Sequence, residues 1–238
     1  DFVNTLIPLG HLDRFKKSVP HIHDVPVAIR KFLIVEDFGT SGLTGETENP
    51  GSDEAGQNWN AFWFREGEGG KEHGAGNGGA GQGKITYFST SEIRTIFAYT
   101  VRSDDGRQAL YGASSFLRDY SFNEEKWLRD SYWGVSKKIK DSLIAVPAEE
   151  QKIIQTFRDV LGVSRKEKET GLSLIIPSPR EFILNDAIDV TIAEFFTPIL
   201  RGDLVVILGN LTLNSDSIIS AADTRLSDEK ARSLHTCT

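Results

Sequence analysis

The chain has 238 residues, of which 39% are hydrophobic and 26% charged, and its formal net charge is −7. This length fits one large domain, or one domain with a small appendage, and the apolar content is enough for a core. The acidic balance counts against a domain that grips duplex DNA with its own surface, because such domains are usually basic. A single cysteine, Cys237, excludes a disulfide framework within the chain. No apolar stretch is long enough to span a bilayer or to form a signal peptide, so we expect a cytoplasmic protein without a membrane partner.

The first half of the chain combines one short apolar segment with a long polar one. Residues 1–24 are mixed in character and predict helix and loop. Phe32–Val35 is apolar and partly β-branched, as a buried strand should be, and it leads directly into Asp37. Residues 40–84 are rich in Gly, Glu, Asn and Ser and show little periodicity. A segment of this length without regular structure predicts a functional lid or a disordered loop.

The second half of the chain is better patterned and predicts alternating strands and helices. In chain order we expect a hairpin of strands at 93–101 and 108–116 around an Asp-Gly turn, an amphipathic helix at 147–162, a strand at 172–177, a second amphipathic helix at 180–200 and a strand at 204–208. This order predicts an α/β fold, a two-layer sandwich with helices packed on one face of a mixed β-sheet. We expect one domain over 1–210, with 211–238 as a polar tail or the start of a following domain.

A glycine-rich run at 66–84, EGEGGKEHGAGNGGAGQGK, is the first candidate for chemistry. Glycines allow successive backbone N–H groups to approach an anion, and a helix that follows them adds the positive end of its dipole. A flexible linker is the alternative. The stretch Gly78–Lys84 nearly matches a P-loop, but Ile85 occupies the position of the magnesium-binding hydroxyl and no strand leads into the loop. A dinucleotide fingerprint over Gly76–Gly81 is weak, because a run this rich in glycine matches it almost automatically.

The triplet DFG at 37–39 is also found in protein kinases, where it holds magnesium. In a kinase the glycine-rich loop precedes this triplet, whereas here the glycine run follows it. The HIHD sequence at 21–24 is a poor substitute for a kinase catalytic loop. We therefore set the kinase interpretation aside.

Three motifs in this order resemble the GHKL ATPase superfamily, which includes gyrase B, MutL, heat-shock chaperone ATPases, MORC proteins and histidine-kinase catalytic domains. LIVEDFGTSGLTG (33–45) resembles the first glycine motif, D-x-G-x-G, with one additional residue in its spacing. GNGGAGQGK (76–84) resembles the second glycine motif, and ETGLSLIIP (169–177) resembles the closing Thr/Gly strand. The resemblance covers roughly residues 27–210 and favours a bacterial or MORC-like branch. It implies a Bergerat-type ATP-binding fold.

The resemblance also implies roles for individual residues. Asp37 would accept a hydrogen bond from the adenine amino group, and Thr170 would reinforce this end of the site. Gly39 and Gly42 would let the backbone pass beneath the base. The residues implied to hold the phosphates are Gly78, Gly81, Gly83 and Lys84. Taken alone, Asp37 would be a turn residue after a strand. The implied ligands are ATP and Mg²⁺.

One expected part of the family pattern is missing from the sequence. A helix with E-x-x-x-N should precede Asp37, because its Glu activates water and its Asn holds magnesium. Residues 1–32 do not contain it, and the match at Glu181–Asn185 lies too far downstream. Three functions stay open. One is a magnesium-dependent ATPase whose lid closure drives conformational change or homodimerisation, in DNA transactions or phage defence through DNA or a partner protein. The second is a non-hydrolysing ATP-sensing or scaffold module. The third is a P-loop nucleotidase.

Several weaker constellations have structural interpretations. His21 and His23 near Asp24 are typical of a surface rather than of a metal site, which needs three or four ligands. The basic run Arg165–Lys168 is diluted by Glu and predicts a solvated turn. The tryptophans are expected to be core or lid anchors: Trp59, Trp63, Trp127 and Trp133. Three arginines lie on or beside the hairpin, where we expect a solvated face, with contact to nucleic acid or phosphate as the alternative: Arg94, Arg102 and Arg107.

Overall fold

The computed structural model describes residues 9–18, 29, 31–50, 56–65, 82–181 and 184–226. The helices are α1 (Leu9–Ser18), α2 (Asn58–Trp63), α3 (Gln82–Thr90), α4 (Gln151–Leu161), α5 (Leu184–Leu200) and α6 (Ile218–Arg225). The strands are β1 (Phe32–Glu36), β2 (Thr95–Val101), β3 (Gln108–Ser115), β4 (Tyr120–Phe122), β5 (Glu125–Trp127), β6 (Asp130–Trp133), β7 (Val135–Ile139), β8 (Ser142–Val146), β9 (Gly171–Pro177), β10 (Val206–Leu208) and β11 (Leu211–Leu213). The chain divides into two compact units, Asp1–Arg180 and Glu181–Thr238.

The first unit is built on a five-stranded sheet in the order β1-β9-β2-β3-β6. Every strand pair in this sheet is antiparallel. The predicted hairpin is confirmed, since β2 and β3 pair from Thr95↔Ser114 to Val101↔Gln108. The predicted strand at 172–177 is confirmed as β9, which lies between β1 and β2. The predicted α/β class therefore holds, but the sheet is antiparallel in the described residues rather than mixed.

Helices cover both faces of this sheet, which differs from the expected single layer of helices. All seven residues of β2 are buried, so its alternate side chains need partners on both sides. On one face Phe97 and Tyr99 pack in a core with residues of α1 and α4, among them Phe15 and Phe157. On the other face the core is supplied by β2, β3, β9, α2 and α3: Ile96, Ala98, Tyr111, Leu174, Trp59, Trp63 and Phe88.

The helix predicted at 147–162 is confirmed, although it begins slightly later than expected. It extends over Gln151–Leu161 and ends at Gly162, which adopts a left-handed conformation with φ of 73°. The backbone N–H of Gly162 donates to the carbonyl of Arg158. Glycine is favoured here because a Cβ would strain this backbone conformation.

Part of the predicted lid at 40–84 is built into the first unit. The Leu43 N–H donates to Thr100 Oγ1 at 3.0 Å, and the Gly45 N–H donates to Asp104 Oδ2 at 3.0 Å. In α2, both tryptophans are buried, so the prediction of aromatic anchors is confirmed for them. The parts 40–50 and 56–65 thus belong to the fold, which corrects the expectation of one continuous lid. The remainder of the predicted lid before α3, residues 51–55 and 66–81, lies outside the described residues.

The second unit has a small core of its own. Helix α5 is interrupted at Phe195, where φ and ψ leave the helical region, and it contains Pro198. β10 and β11 form a two-stranded antiparallel sheet, and Leu213 packs with Ile192 and Ile218. The division between the units therefore falls earlier than the expected boundary at 210, because β11 and α6 share a core with α5. None of the helices in the described part of the chain has the length and apolar character needed to cross a bilayer.

Candidate functional site

The antiparallel pairing of β1 with β9 brings the two ends of the predicted adenine site together. Glu36 is opposite Ser173, so Asp37 continues the chain beside Gly171 and Leu172. The Asp37 N–H donates to the Leu172 carbonyl at 2.9 Å, and the Leu172 N–H donates to Asp37 Oδ1 at 2.6 Å. Two segments 135 positions apart in sequence are therefore joined through both the backbone and the side chain of Asp37.

The Asp37 carboxylate is held by one oxygen only. Thr40 Oγ1 donates to Oδ1 at 2.8 Å, in addition to the bond from the Leu172 N–H. Among the described residues no hydrogen bond reaches Oδ2, and the Asp37 side chain is 50% exposed. Because Oδ1 fixes the orientation of the group, Oδ2 is a positioned acceptor that faces solvent.

The loop after Asp37 passes this carboxylate in a tight path that requires glycine. Gly39 has φ of 73°, and its N–H donates to the Thr170 carbonyl at 3.1 Å. A Cβ built on Gly39 would meet no atom within 4 Å, so the space above it is open. Gly42 has φ of 66°, and a Cβ there would lie 2.6 Å from Thr100 Oγ1 and 3.0 Å from the Gly171 carbonyl. The structure thus brings together four predicted site residues: Asp37, Gly39, Gly42 and Thr170.

An apolar surface adjoins the Asp37 carboxylate on the sheet. Val35 lies two residues before Asp37, on the same side of the strand, and its side chain is 45% exposed. Val35 is paired with Leu174, whose side chain belongs to the core on that face of the sheet. Leu172, the next residue on that face of β9, is only partly buried. Sequence reasoning predicted the strand but did not identify Val35 as an exposed apolar residue.

Arg165 organises the end of β9 from the interior, and sequence analysis missed it. The residue is fully buried, so the prediction of a solvated turn is wrong for Arg165. Its guanidinium lies 4.6 Å from the Phe38 ring centroid and 3.8 Å from Asp37 Oδ1. It donates to five acceptors: Ser173 Oγ and the carbonyls of Asp37, Glu169, Thr170 and Leu172. Burial lowers the pKa of this guanidinium. No signal in the surrounding run of Lys and Glu distinguishes Arg165 from its exposed neighbours.

Glu36 joins the same network from β1. Its carboxylate accepts from Ser164 Oγ at 2.5 Å, Ser173 Oγ at 2.7 Å and the Arg165 N–H at 3.3 Å. Burial raises the pKa of Glu36, but these hydrogen bonds outweigh it and leave the pKa below its ordinary value. An ionised Glu36 and a charged Arg165 therefore hold β1, β9 and the end of the α4–β9 connection together.

The predicted phosphate end is described only in part. Gly83 and Lys84 lie in the first turn of α3, and this helix follows the glycine run as predicted. Gly78 and Gly81 lie outside the described residues. Helix α3 packs against β2 and β9, on the same face of the sheet as Leu174. The roles of these four residues stay predictions.

The other predicted constellations do not form sites among the described residues. No group of three or more His, Cys, Asp or Glu side chains there could hold a metal ion, so Mg²⁺ stays a prediction. His21, His23 and Asp24 lie outside the described residues, as does Cys237. The carboxamide of Asn185 accepts a hydrogen bond from Arg225 at 3.2 Å, which gives it a structural role in the second unit.

Arg102 is buried, which corrects the expectation of a solvated face. It donates to Asp104 at 2.9 Å and forms an ion pair with Asp105 at 3.2 Å. Arg107 forms an exposed ion pair with Asp105 at 2.7 Å. These two arginines thus stabilise the β2–β3 turn rather than forming a basic surface.

Comparison with known proteins found no matching family model, curated protein or solved structure. Function is therefore inferred from the order of the motifs and from the geometry around Asp37.

Proposed function

We propose that this chain is an ATP-binding domain and that the adenine base binds at the corner formed by the ends of β1 and β9. The observation that carries this proposal is the Asp37 carboxylate. Its Oδ1 is fixed by Thr40 and Leu172, and its Oδ2 accepts no hydrogen bond among the described residues. A carboxylate oriented in this way is a specific acceptor for an exocyclic amino group.

The surroundings of Asp37 suit a flat heterocycle. Val35 and Leu172 offer apolar surface on the same side of the sheet, and the open space above Gly39 leaves room for a base close to the backbone. Guanine carries a carbonyl oxygen where adenine carries its amino group, and two acceptors facing each other would repel. The site should therefore favour ATP over GTP.

The proposed phosphate site uses the glycine run and the start of α3. Gly78, Gly81 and Gly83 would offer backbone N–H groups, Lys84 would add a positive charge, and the helix N-terminus would favour an anion. Thr170 would reinforce the adenine end. These roles follow from the resemblance to GHKL ATPases. The start of α3 at Gln82, directly after the glycine run, supports the proposed phosphate site.

The finer assignment to a Bergerat-type fold belongs to the same proposal. It is supported by Asp37 directly after β1, by the glycine run that precedes α3, and by β9, which starts beside Asp37 at Gly171. A two-layer sandwich has helices on one face of the sheet only. In this chain α1 and α4 would form an additional layer on the opposite face.

For the chemistry we propose magnesium-dependent ATP hydrolysis, with closure over the nucleotide driving a conformational change or homodimerisation. A link to DNA or a partner protein follows only by analogy with the superfamily. The alternative is an ATP-sensing module without turnover. Steady-state phosphate release with and without Mg²⁺ distinguishes the two. Saturable ATP binding without release of phosphate above background would establish the alternative.

The substitution Asp37→Asn tests the adenine site directly. Asparagine has one oxygen, which can take either the Oδ1 position beside the Leu172 N–H or the Oδ2 position toward the ligand, and the other position then holds an NH2 group that cannot accept. We expect ATP affinity measured by calorimetry to fall about 10- to 100-fold, because either the charge-assisted hydrogen bond to the base is lost or the Leu172 N–H loses its acceptor. The preference for ATP over GTP should shrink with it.

Two results would argue against this proposal. Unchanged ATP affinity in Asp37→Asn would remove the adenine role and favour a P-loop-like use of the glycine run. Equal affinity of the unsubstituted chain for ATP and GTP would do the same. The matched control is Asp203→Asn, an exposed aspartate in the second unit, which should leave both affinities unchanged.

A further inference from the structure

A cavity lies on the sheet away from Asp37. It has a volume of about 300 Å³ and is bounded by α2, α3, β3 and β6. Its apolar walls include Phe64, Phe88 and Tyr132, and the Phe64 and Tyr132 rings lie 5.2 Å apart. Arg94, Ser115 and other polar residues lie at the same cavity. Concave sites with aromatic walls and a few polar groups are typical of small-molecule binding.

Arg94 is held at this cavity in an unusual conformation. Its φ of 50° lies in the left-handed region, which is uncommon for a residue other than Gly, Asn or Asp. Its backbone N–H donates to the Ser91 carbonyl at 3.1 Å, and its carbonyl accepts from the Ser115 N–H at 3.0 Å. Strained backbone of this kind is concentrated at functional sites, where the surrounding structure maintains it.

The guanidinium of Arg94 is oriented but not neutralised. Its Nε donates to the Ser115 carbonyl at 3.1 Å, which fixes the plane of the group. In the described part of the chain its two Nη groups form no hydrogen bond, and no carboxylate pairs with it. Arg180 is a second such cation nearby, with its Nε on the Ser89 carbonyl at 2.9 Å. Burial and the charge of Arg180 both lower the pKa of Arg94.

Among the described residues that line the cavity, the one carboxylate is already engaged. Asp130 Oδ1 accepts from Ser115 Oγ at 2.7 Å, and Asp130 Oδ2 accepts from Arg129 Nε at 3.2 Å. The charge of Asp130 is thus offset by Arg129. No other carboxylate among the described lining residues offsets the charge of Arg94. An anion placed against the Nη groups of Arg94 would supply the missing partner and could accept two hydrogen bonds in a fork.

We propose that this cavity is a binding site for a small organic anion with a flat apolar body, a phosphate monoester or a carboxylate. The aromatic walls would hold the flat body, and the Nη groups of Arg94 would bind the anionic head, with Arg180 adding long-range attraction. This cavity is separate from the proposed adenine site at the Asp37 end of β1 and β9, and Ile85 in its wall directly follows Lys84 of the proposed phosphate site.

The test uses phenyl phosphate and benzoate as anionic probes and phenol as the neutral analogue, each titrated by calorimetry into the whole chain. We expect saturable binding of at least one anionic probe, with an affinity at least tenfold above that of phenol. The substitution Arg94→Asn removes the guanidinium but keeps a residue that tolerates the left-handed conformation. It should weaken the anionic probe at least about tenfold and leave phenol binding unchanged.

Control variants separate this site from the nucleotide site and from general charge. Asp37→Asn should leave the affinity for the anionic probe unchanged, and so should Arg201→Asn, which removes an exposed arginine in the second unit. Thermal unfolding of each variant checks that it is folded. The proposal is overturned if neither anionic probe saturates, if phenol binds as tightly, if Arg94→Asn binds the probe like the unsubstituted chain, or if Asp37→Asn abolishes binding.

Discussion

Arginines lie near both ends of β9, but the two ends differ in how many hydrogen bonds their guanidinium groups donate. At the Gly171 end, Arg165 is fully buried and donates to five acceptors on the adjoining backbone and Ser173. At the Pro177 end, Arg94 and Arg180 each donate to one backbone carbonyl through Nε. The first arrangement leaves no donor for a ligand, whereas the second leaves the outer edge of the guanidinium available.

This difference in hydrogen bonding distinguishes Arg165, which has a structural role, from Arg94, which we propose binds a ligand. At the Gly171 end the group available to a ligand is an acceptor, Asp37 Oδ2, and Arg165 only fixes the backbone around it. At the Pro177 end the groups available to a ligand are donors. The two ends of one strand therefore suit opposite chemistries, an amino group at Asp37 and an anion at Arg94.

The largest effect is expected from removing the structural arginine. Arg165→Met keeps the aliphatic part of the side chain but leaves the carbonyls of Asp37 and Glu169 without the donor that Arg165 supplies, and it removes one donor each from Thr170 and Leu172. We expect the free energy of unfolding, measured by urea denaturation, to fall by about 3–5 kcal/mol. Lys166→Met, at the exposed neighbouring position, should change it by less than about 0.5 kcal/mol. A loss below about 1 kcal/mol in Arg165→Met would contradict the structural role.

A pair of glycine substitutions tests how tightly the Gly171 end is packed. Alanine at Gly42 or Gly39 would place a Cβ on a left-handed backbone. We expect this conformational strain to lower the free energy of unfolding by about 1–2 kcal/mol in each variant. Only Gly42→Ala also collides with Thr100 and with backbone carbonyls, so we expect a total loss of about 2–4 kcal/mol there. Gly39→Ala is the matched control because its Cβ would face open space. Equal losses in urea denaturation would mean that the close packing around Gly42 is relaxed in solution.

Acid titration tests the carboxylate that supports Arg165. The pKa of Glu36 is lower in the folded chain than its ordinary value, so its contribution to stability is present above the unfolded pKa. That contribution is lost as the pH falls through the lower folded pKa. Glu36→Gln should lose about 1 kcal/mol at pH 7, and the gap to the unsubstituted chain should close at acid pH. Glu167→Gln, an exposed neighbour, should show no such gap, and a gap for Glu36→Gln that is constant with pH would contradict the assignment.

The smallest effect on stability is expected at the other end of β9. Arg94→Asn removes one hydrogen bond to a backbone carbonyl but places a residue suited to φ of 50°. These two effects oppose each other, so we expect a change of less than about 1 kcal/mol in the free energy of unfolding. A loss comparable to that of Arg165→Met would erase the distinction between the two arginines.

Much of the local structure follows from the sequence. The alternating pattern and Asp-Gly turn predict β2 and β3, the run before Pro177 predicts β9, and Gly162 marks the end of α4. These features depend on neighbouring residues and on backbone preferences, so they can be identified without tertiary structure. The position of Asp37 at the end of a strand belongs to the same group.

Other features depend on contacts between residues far apart in the chain. The residues around Arg165 in sequence have the composition of a surface turn. Arg165 is buried because Glu36, Asp37 and β9 pack around it in the folded chain. The boundary between the two units could not be predicted from the sequence either. β11 shares a core with α5 and α6 through side chains that meet only in the folded second unit.

The sequence alone determined that Asp37 follows a strand, that a glycine run precedes a helix and that Thr170 opens a later strand. Tertiary structure decided which of these parts meet, because the antiparallel register of β1 and β9 sets Asp37 against Leu172. It also decided that Arg165 is enclosed at the Gly171 end, while the Nη groups of Arg94 have no hydrogen-bond partner among the described residues. Burial and hydrogen-bond geometry are properties of the assembled sheet, so no local pattern in the sequence encodes them.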